Sequence, residues 1–185
     1  MRKGWTLQPF FLSLGMEIKV TIKQAEEAII GYTDSSLARS ETNDCVVRAL
    51  AAATGVSYDD AHQYTADKFN RKNKQGTFGF VPKLDALKRE GTVLGKAFTK
   101  IGDPMYSTIS NPDMIQPFTY YKVYGEIVKR EMTFKSFVKK YPKGTYLLVV
   151  ARHAFTIKDG VVIGGNYNDT TQLRKRINAA YRVDS

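Results

Sequence analysis

Cysteine occurs once in these 185 residues, at position 45, and histidine only twice, at 62 and 153. A single thiol excludes an internal disulfide. It also leaves too few sulfur and imidazole ligands for an ordinary structural zinc site, so neither a metal nor another cofactor is expected. A free thiol fits a reducing compartment, and the cytoplasm is the expected location. No run of about 18 apolar residues is present, so no transmembrane helix and no membrane partner are expected. Proline is scarce, and three of the six prolines fall between residues 99 and 119. Internal repeats and low-complexity segments are lacking.

What is present fits a globular chain. Apolar residues make up 43% and aromatics 12%, enough to build a core. The opening "MRKGWTLQPFFLSLG" is basic and then apolar, but Gln8 and Pro9 interrupt it before it reaches the length of a signal-peptide core. Met16 opens a more ordinary start. Residues 1–15 are therefore read as an N-terminal extension, and residues 16–185 as a single domain. The net charge is +10 and uneven. Residues 1–119 carry 15 Lys/Arg against 13 Asp/Glu, whereas residues 120–185 carry 13 against 5. Such an excess suits an acidic partner, nucleic acid being the commonest, and equally a solvated basic face. The tyrosines within 120–124 and the cluster Arg174, Lys175 and Arg176 are the places where stacking and charge neutralisation would act.

The pattern predicts an α+β domain, helices first and an antiparallel sheet after them. "EIKVTIK" alternates as a strand, with Ile18, Val20 and Ile22 on one face. Residues 35–44 read as a polar loop. A helix is predicted over 44–53, stopped by Thr54-Gly55, capped by Thr42 or Asn43, and buried through Val46, Val47, Leu50 and Ala53. Ser57 caps a second helix, with Asp60 at its capping-box position. A short third helix covers 81–91. Residues 99–119 read as a long loop. Thr133 caps a helix ended by Pro142-Gly144. "TYLLVV", "HAFTIK", "VVIGGNY" and "RINAAYRV" read as strands, with Asp159-Gly160 as a two-residue hairpin turn.

That turn fixes a register. If Lys158 pairs with Val161, then Ile157 faces Val162, Thr156 faces Ile163, and continuing outward His153 faces Asn166. Directly opposed side chains lie about 5 Å apart on one face of a sheet. A bulge at Gly164-Gly165 would spoil the match. An imidazole beside a carboxamide is oriented by it, leaving the other ring nitrogen to accept a proton. Cys45, at a predicted helix start, sits at the positive end of the helix dipole. Nucleophile, base and orienter in this order are the parts of a thiol acyl-transfer site. His62 is read as a surface or packing residue. With Asp59 or Asp60 it makes only a poor metal pair. "GTFGFVP" and "GVVIGGN" lack phosphate-loop spacing.

"NDCVVRALAAATGVSYDDAHQ", followed about a hundred residues later by "GTYLLVVARHAFTIKDGVVIGGN", resembles the papain-like cysteine peptidase superfamily. The likeness is greatest to small viral or phage-type members and to bacteriocin-leader peptidases. It covers roughly residues 40–70 and 130–170. The resemblance implies a papain-like fold, with Cys45 at the start of a central helix packed on a C-terminal antiparallel sheet that carries His153. It implies a cysteine hydrolase, a peptidase above all, acting on a protein or peptide through a thioester, with Cys45, His153 and Asn166 as the catalytic set. A viral or phage source, and hence host cytoplasm, is implied by the resemblance alone. Two departures stand out. The family's oxyanion glutamine, six residues before the cysteine, is Arg39 here, which leaves Asn43 or Arg39 itself as oxyanion donors. The aspartate that many relatives place soon after the hairpin is Gly164, with Asn168 and Asp169 as further substitutes for Asn166. The departures leave two rival expectations open: a basic module binding nucleic acid or protein, and a papain-like fold without turnover that acts as an inhibitor.

Overall fold

The computed structural model describes residues 21–101, 118–123, 126–164 and 174–184, with backbone alone for 118–123 and 126–131. The calls on residues 1–15, Ile18, Val20, Asn166, Asn168 and Asp169 lie outside the described residues, as do the side chains of the 120–124 tyrosines. Six strands form one mixed sheet in the order β1-β7-β6-β5-β8-β2. These are β1 (Thr21–Lys23), β2 (Phe98–Lys100), β5 (Thr145–Val150), β6 (His153–Lys158), β7 (Val161–Ile163) and β8 (Ile177–Val183). A separate two-stranded antiparallel ladder pairs β3 (Phe118–Val123) with β4 (Glu126–Glu131).

The α+β class is as the pattern predicts, but the sheet is not purely antiparallel. β1 runs parallel to β7 with Ile22 opposite Val162. Such a pair joins strands far apart in sequence, so no turn motif announces it. β2 pairs with β8, placing Phe98 opposite Val183. It therefore takes up the start of the expected loop 99–119, and β3 takes up its end.

The helices are α1 (Ala25–Ala28), α2 (Ser36–Ser40), α3 (Cys45–Thr54), α4 (Tyr58–Phe69), α5 (Phe80–Glu90) and α6 (Phe134–Lys140). Helix α2 lies where a polar loop was expected. Ser35 Oγ accepts from Ala38 N at 3.0 Å, and Ala38 is buried, so one cap and one packed methyl suffice for this short turn of helix. The caps at Ser57 and Thr133 form as expected, accepting from Asp60 N and Ser136 N.

The central strands are apolar on both faces because helices cover both. On one face, Leu147, Ala154, Ala179 and Tyr181 pack with Val46 and Leu50 of α3. On the other, Leu148, Phe155, Ile157 and Ile177 pack with Phe134 and Phe137 of α6. The Phe134 and Phe155 rings meet edge to face at 5.2 Å. On the side of α3 away from the sheet, Val47 and Ala51 pack with Ile29, Tyr58 and Ala61. Helix α3 is thus enclosed between sheet and helices, and its alanines allow the close approach. Among the described residues no helix is long and apolar enough to cross a membrane.

Candidate active site

Cys45 is the first residue of α3, half-buried, and Asp44 is the N-cap. Neither Thr42 nor Asn43 caps this helix, because the chain turns into it one residue later than expected. The Asp44 carboxylate does not cap either. It is buried, lies 3.0 Å from Arg48 Nε one turn along, and accepts from Tyr58 Oη at 2.9 Å. Burial first, then the charge of Asp44 and this hydrogen bond, raise the Tyr58 pKa, so the phenol stays a donor. At the far end Gly55 takes φ 77°, and its N–H donates to Ala51 O, which ends the helix as the sequence predicts.

His153 opens β6. It stands opposite Val150 at the closed end of the β5–β6 ladder. The Asp159-Gly160 hairpin has the predicted register, with Lys158 facing Val161, Ile157 facing Val162 and Thr156 facing Ile163. Gly164, at φ 72°, then turns its N–H to Lys23 O, and the ladder is described no further. Along β6, Ala154 faces α3, and so does Thr156, whose Oγ1 donates to Ala49 O at 2.6 Å. Alternation puts His153 with Phe155 on the other face, where the two rings stack 5.9 Å apart.

Cys45 and His153 nevertheless line one cleft of about 500 Å³, which opens at the end of the sheet. Its walls are mostly apolar: residues 76–82 on one side, and Val149, Val150, Ala154 and Asn178 on the other. Phe78 stands 82% exposed at this site. His153 has its pKa lowered to about 4. Burial is the main cause, the positive charges of Arg48 and Lys175 add to it, and Asp44 opposes them. At neutral pH the ring is therefore the uncharged form that can accept a proton.

The sequence-level candidates divide accordingly. Cys45 and His153 both line the cleft. Asn43 and Arg39 are not among its lining residues. Asn43 is exposed in a left-handed conformation (φ 57°), with its amide donating to Lys74 O at 3.3 Å, and Arg39 Nη1 donates to Thr33 O. Both side chains bond to nearby backbone instead. His62 is a buried packing residue whose Nε2 lies 2.9 Å from Glu41 Oε1. Asp59 and Asp60 instead accept from Ser35 and Ser57. Among the described residues no group of three or more possible metal ligands converges. Arg174 and Arg176 are exposed and Lys175 half-buried where the chain enters β8.

Asn178 was not anticipated. Val149 pairs with Ala179 and Val150 with Ile177, so Asn178 is the extra residue of a β-bulge on β8. A bulge re-aims a side chain, and this one places the only described carboxamide in the cleft lining. No sequence signal marks it. The chain matches no family model, no curated protein and no solved structure.

Proposed function

We propose that the protein is a papain-like thiol hydrolase, a peptidase above all, in which Cys45 is the nucleophile and His153 the base. The observation that carries this is the shared cleft: a cysteine at the start of a ten-residue helix and an uncharged histidine at the start of a strand line one apolar opening. In the reaction, the Cys45 proton passes to His153 as Sγ bonds to the substrate carbonyl carbon. The carbonyl π electrons move to oxygen. When they return, the bond to the leaving amine breaks, and the amine takes the proton from the imidazolium. A water then gives a proton to His153 as it attacks the thioester, and the thiolate leaves and is reprotonated. A ring with a pKa near 4 is a weak base by itself. The thiolate formed beside it supplies the negative charge that favours the imidazolium. The apolar walls strengthen that pairing by excluding water. The sequence register assigns the orienting carboxamide to Asn166, which lies outside the described residues. Cys45 N–H at the helix start is one oxyanion donor.

The test is acyl trapping with p-nitrophenyl acetate, read by peptide mass mapping. The account expects an acetyl group on the Cys45 peptide and release of nitrophenol in excess of enzyme. It expects neither in Cys45→Ala, whose half-buried side chain can shrink without unfolding the domain. Equal nitrophenol release from Cys45→Ala and wild type would overturn the proposal.

A further inference from the structure

Away from the reacting groups, a concentration of buried charge among the described residues is at Glu41, four residues before Cys45. The Glu41 and Arg71 side chains are each only 1% exposed. Glu41 Oε2 accepts from Arg71 Nη2 at 2.7 Å and from the Lys74 backbone N–H at 2.8 Å. Glu41 Oε1 lies 2.9 Å from His62 Nε2 and accepts from Arg71 Nη1 at 3.4 Å, and that same Nη1 lies 3.2 Å from His62 Nε2. Burial alone would raise this carboxyl's pKa. The hydrogen bonds from Arg71, His62 and the Lys74 backbone outweigh it and hold the pKa at about 2. The carboxylate is therefore fully ionised wherever the protein is folded near neutrality, with Arg71, His62 and the Lys74 backbone gathered round its two oxygens.

Apart from His62 on α4, the partners lie on two different stretches of chain. Glu41 begins the lead-in to α3. Arg71 and Lys74 lie on the loop that becomes the cleft wall two residues later, at Gly76. Weaker bonds run beside the central pair: Thr42 Oγ1 and Asn43 Nδ2 both donate to Lys74 O, and Arg71 Nη2 reaches Thr42 O. Asn43 and Lys74 both hold left-handed backbone, at φ 57° and 62°. Such conformations persist in non-glycine residues only where the surroundings fix them. Here the surroundings are each other and Glu41.

We propose that Glu41 is a positioning residue for the cleft: its one buried carboxylate fixes the start of the Cys45 helix against the 76–82 wall. Loss of that anchor frees the wall to move relative to the nucleophile. Small reagents reach Cys45 regardless, whereas a reagent that must fill the cleft depends on the wall. The inference rests on the hydrolase reading only in calling the cleft an active site, since the clamp itself is geometric.

The experiment compares iodoacetamide with N-benzyl iodoacetamide on Cys45 in wild type and Glu41→Gln, at a temperature where both are folded by circular dichroism. Glutamine keeps the shape but offers one acceptor oxygen where Arg71, His62 and the Lys74 backbone converge. Wild type should label faster with the aromatic reagent, and the ratio of the two rates should fall on the order of tenfold in the variant. A role in stability alone would lower the melting temperature and leave the ratio unchanged, which would overturn the proposal. Asn43→Gly, which suits φ 57° and removes only the exposed bond to Lys74 O, provides a second variant that should fold even where Glu41→Gln does not. It should lower the same ratio by a smaller factor, and an unchanged ratio there would also count against the clamp. Amide exchange of residues 76–79 gives an independent readout. Exchange should quicken in either variant whether or not Cys45 proves to be a nucleophile, so failure of the clamp and failure of the hydrolase reading are told apart.

Discussion

Acidification should weaken the fold through His153, and the sign follows from its surroundings. Its pKa lies at about 4 in the folded protein, against an ordinary 6.5, because of burial and then the charges of Arg48 and Lys175. Below 6.5 the unfolded chain takes up a proton that the folded protein refuses. The contribution of His153 to stability is therefore complete above pH 6.5 and is lost as pH falls towards 4. At ~1.4 kcal/mol per pH unit the whole window would be worth ~3 kcal/mol. The ring is only half-buried, and solvent screening brings the expected loss to about 1–2 kcal/mol. Urea unfolding of wild type and His153→Gln between pH 7.5 and 4.5 measures it. The difference in unfolding free energy between the two should move against wild type by this amount. Glu41 does not interfere, because its low pKa places its own window between about 4.5 and 2 and it is present in both proteins. A flat difference would refute the reasoning. So would a wild type that gains on the variant in acid, because that requires a folded histidine paired with an anion.

The helix–strand bond and the hairpin glycine are open to similar tests. Thr156→Val removes the bond from Thr156 Oγ1 to Ala49 O at equal size. Ala49 O lies within α3 and keeps its intrahelical donor, so chemical denaturation should show a loss of about 1 kcal/mol and not the larger cost of an orphaned carbonyl. Gly164→Ala places a methyl 3.6 Å from Arg48 Cβ, an ordinary contact, but forces alanine to φ 72°. The strain should cost about 1 kcal/mol, seen as a lower urea midpoint, and an unchanged midpoint would show that the turn relaxes freely.

Local chemistry made part of this fold legible. Asp159-Gly160 sets the hairpin register, and three observed pairs agree with it. Ser57, Thr133 and Gly55 mark helix ends because each satisfies a backbone group within a few residues. The parts that escaped are non-local. The parallel pairing of β1 with β7 joins segments about 140 residues apart. Glu41 and Arg71 look like any surface acid and base until α2 and α4 bring them together. Asn178 enters the cleft through a bulge that strand periodicity does not foretell. The cleft wall at 76–82 is written in a glycine-bearing stretch whose sequence says turn and nothing about what it faces. Cys45 and His153 stand out because each residue type is rare in this chain, and because helix start and strand start are positions that local pattern does reveal.

The central claim is that His153 activates Cys45. The most direct test is the rate at which iodoacetamide alkylates Cys45 at pH 7 in wild type and in His153→Ala, both confirmed as folded. The account predicts fast labelling of wild type and a rate at least about tenfold lower in the variant, as expected when a thiol loses its base. Equal rates in the two proteins would contradict it and leave Cys45 as a packing residue at a helix start.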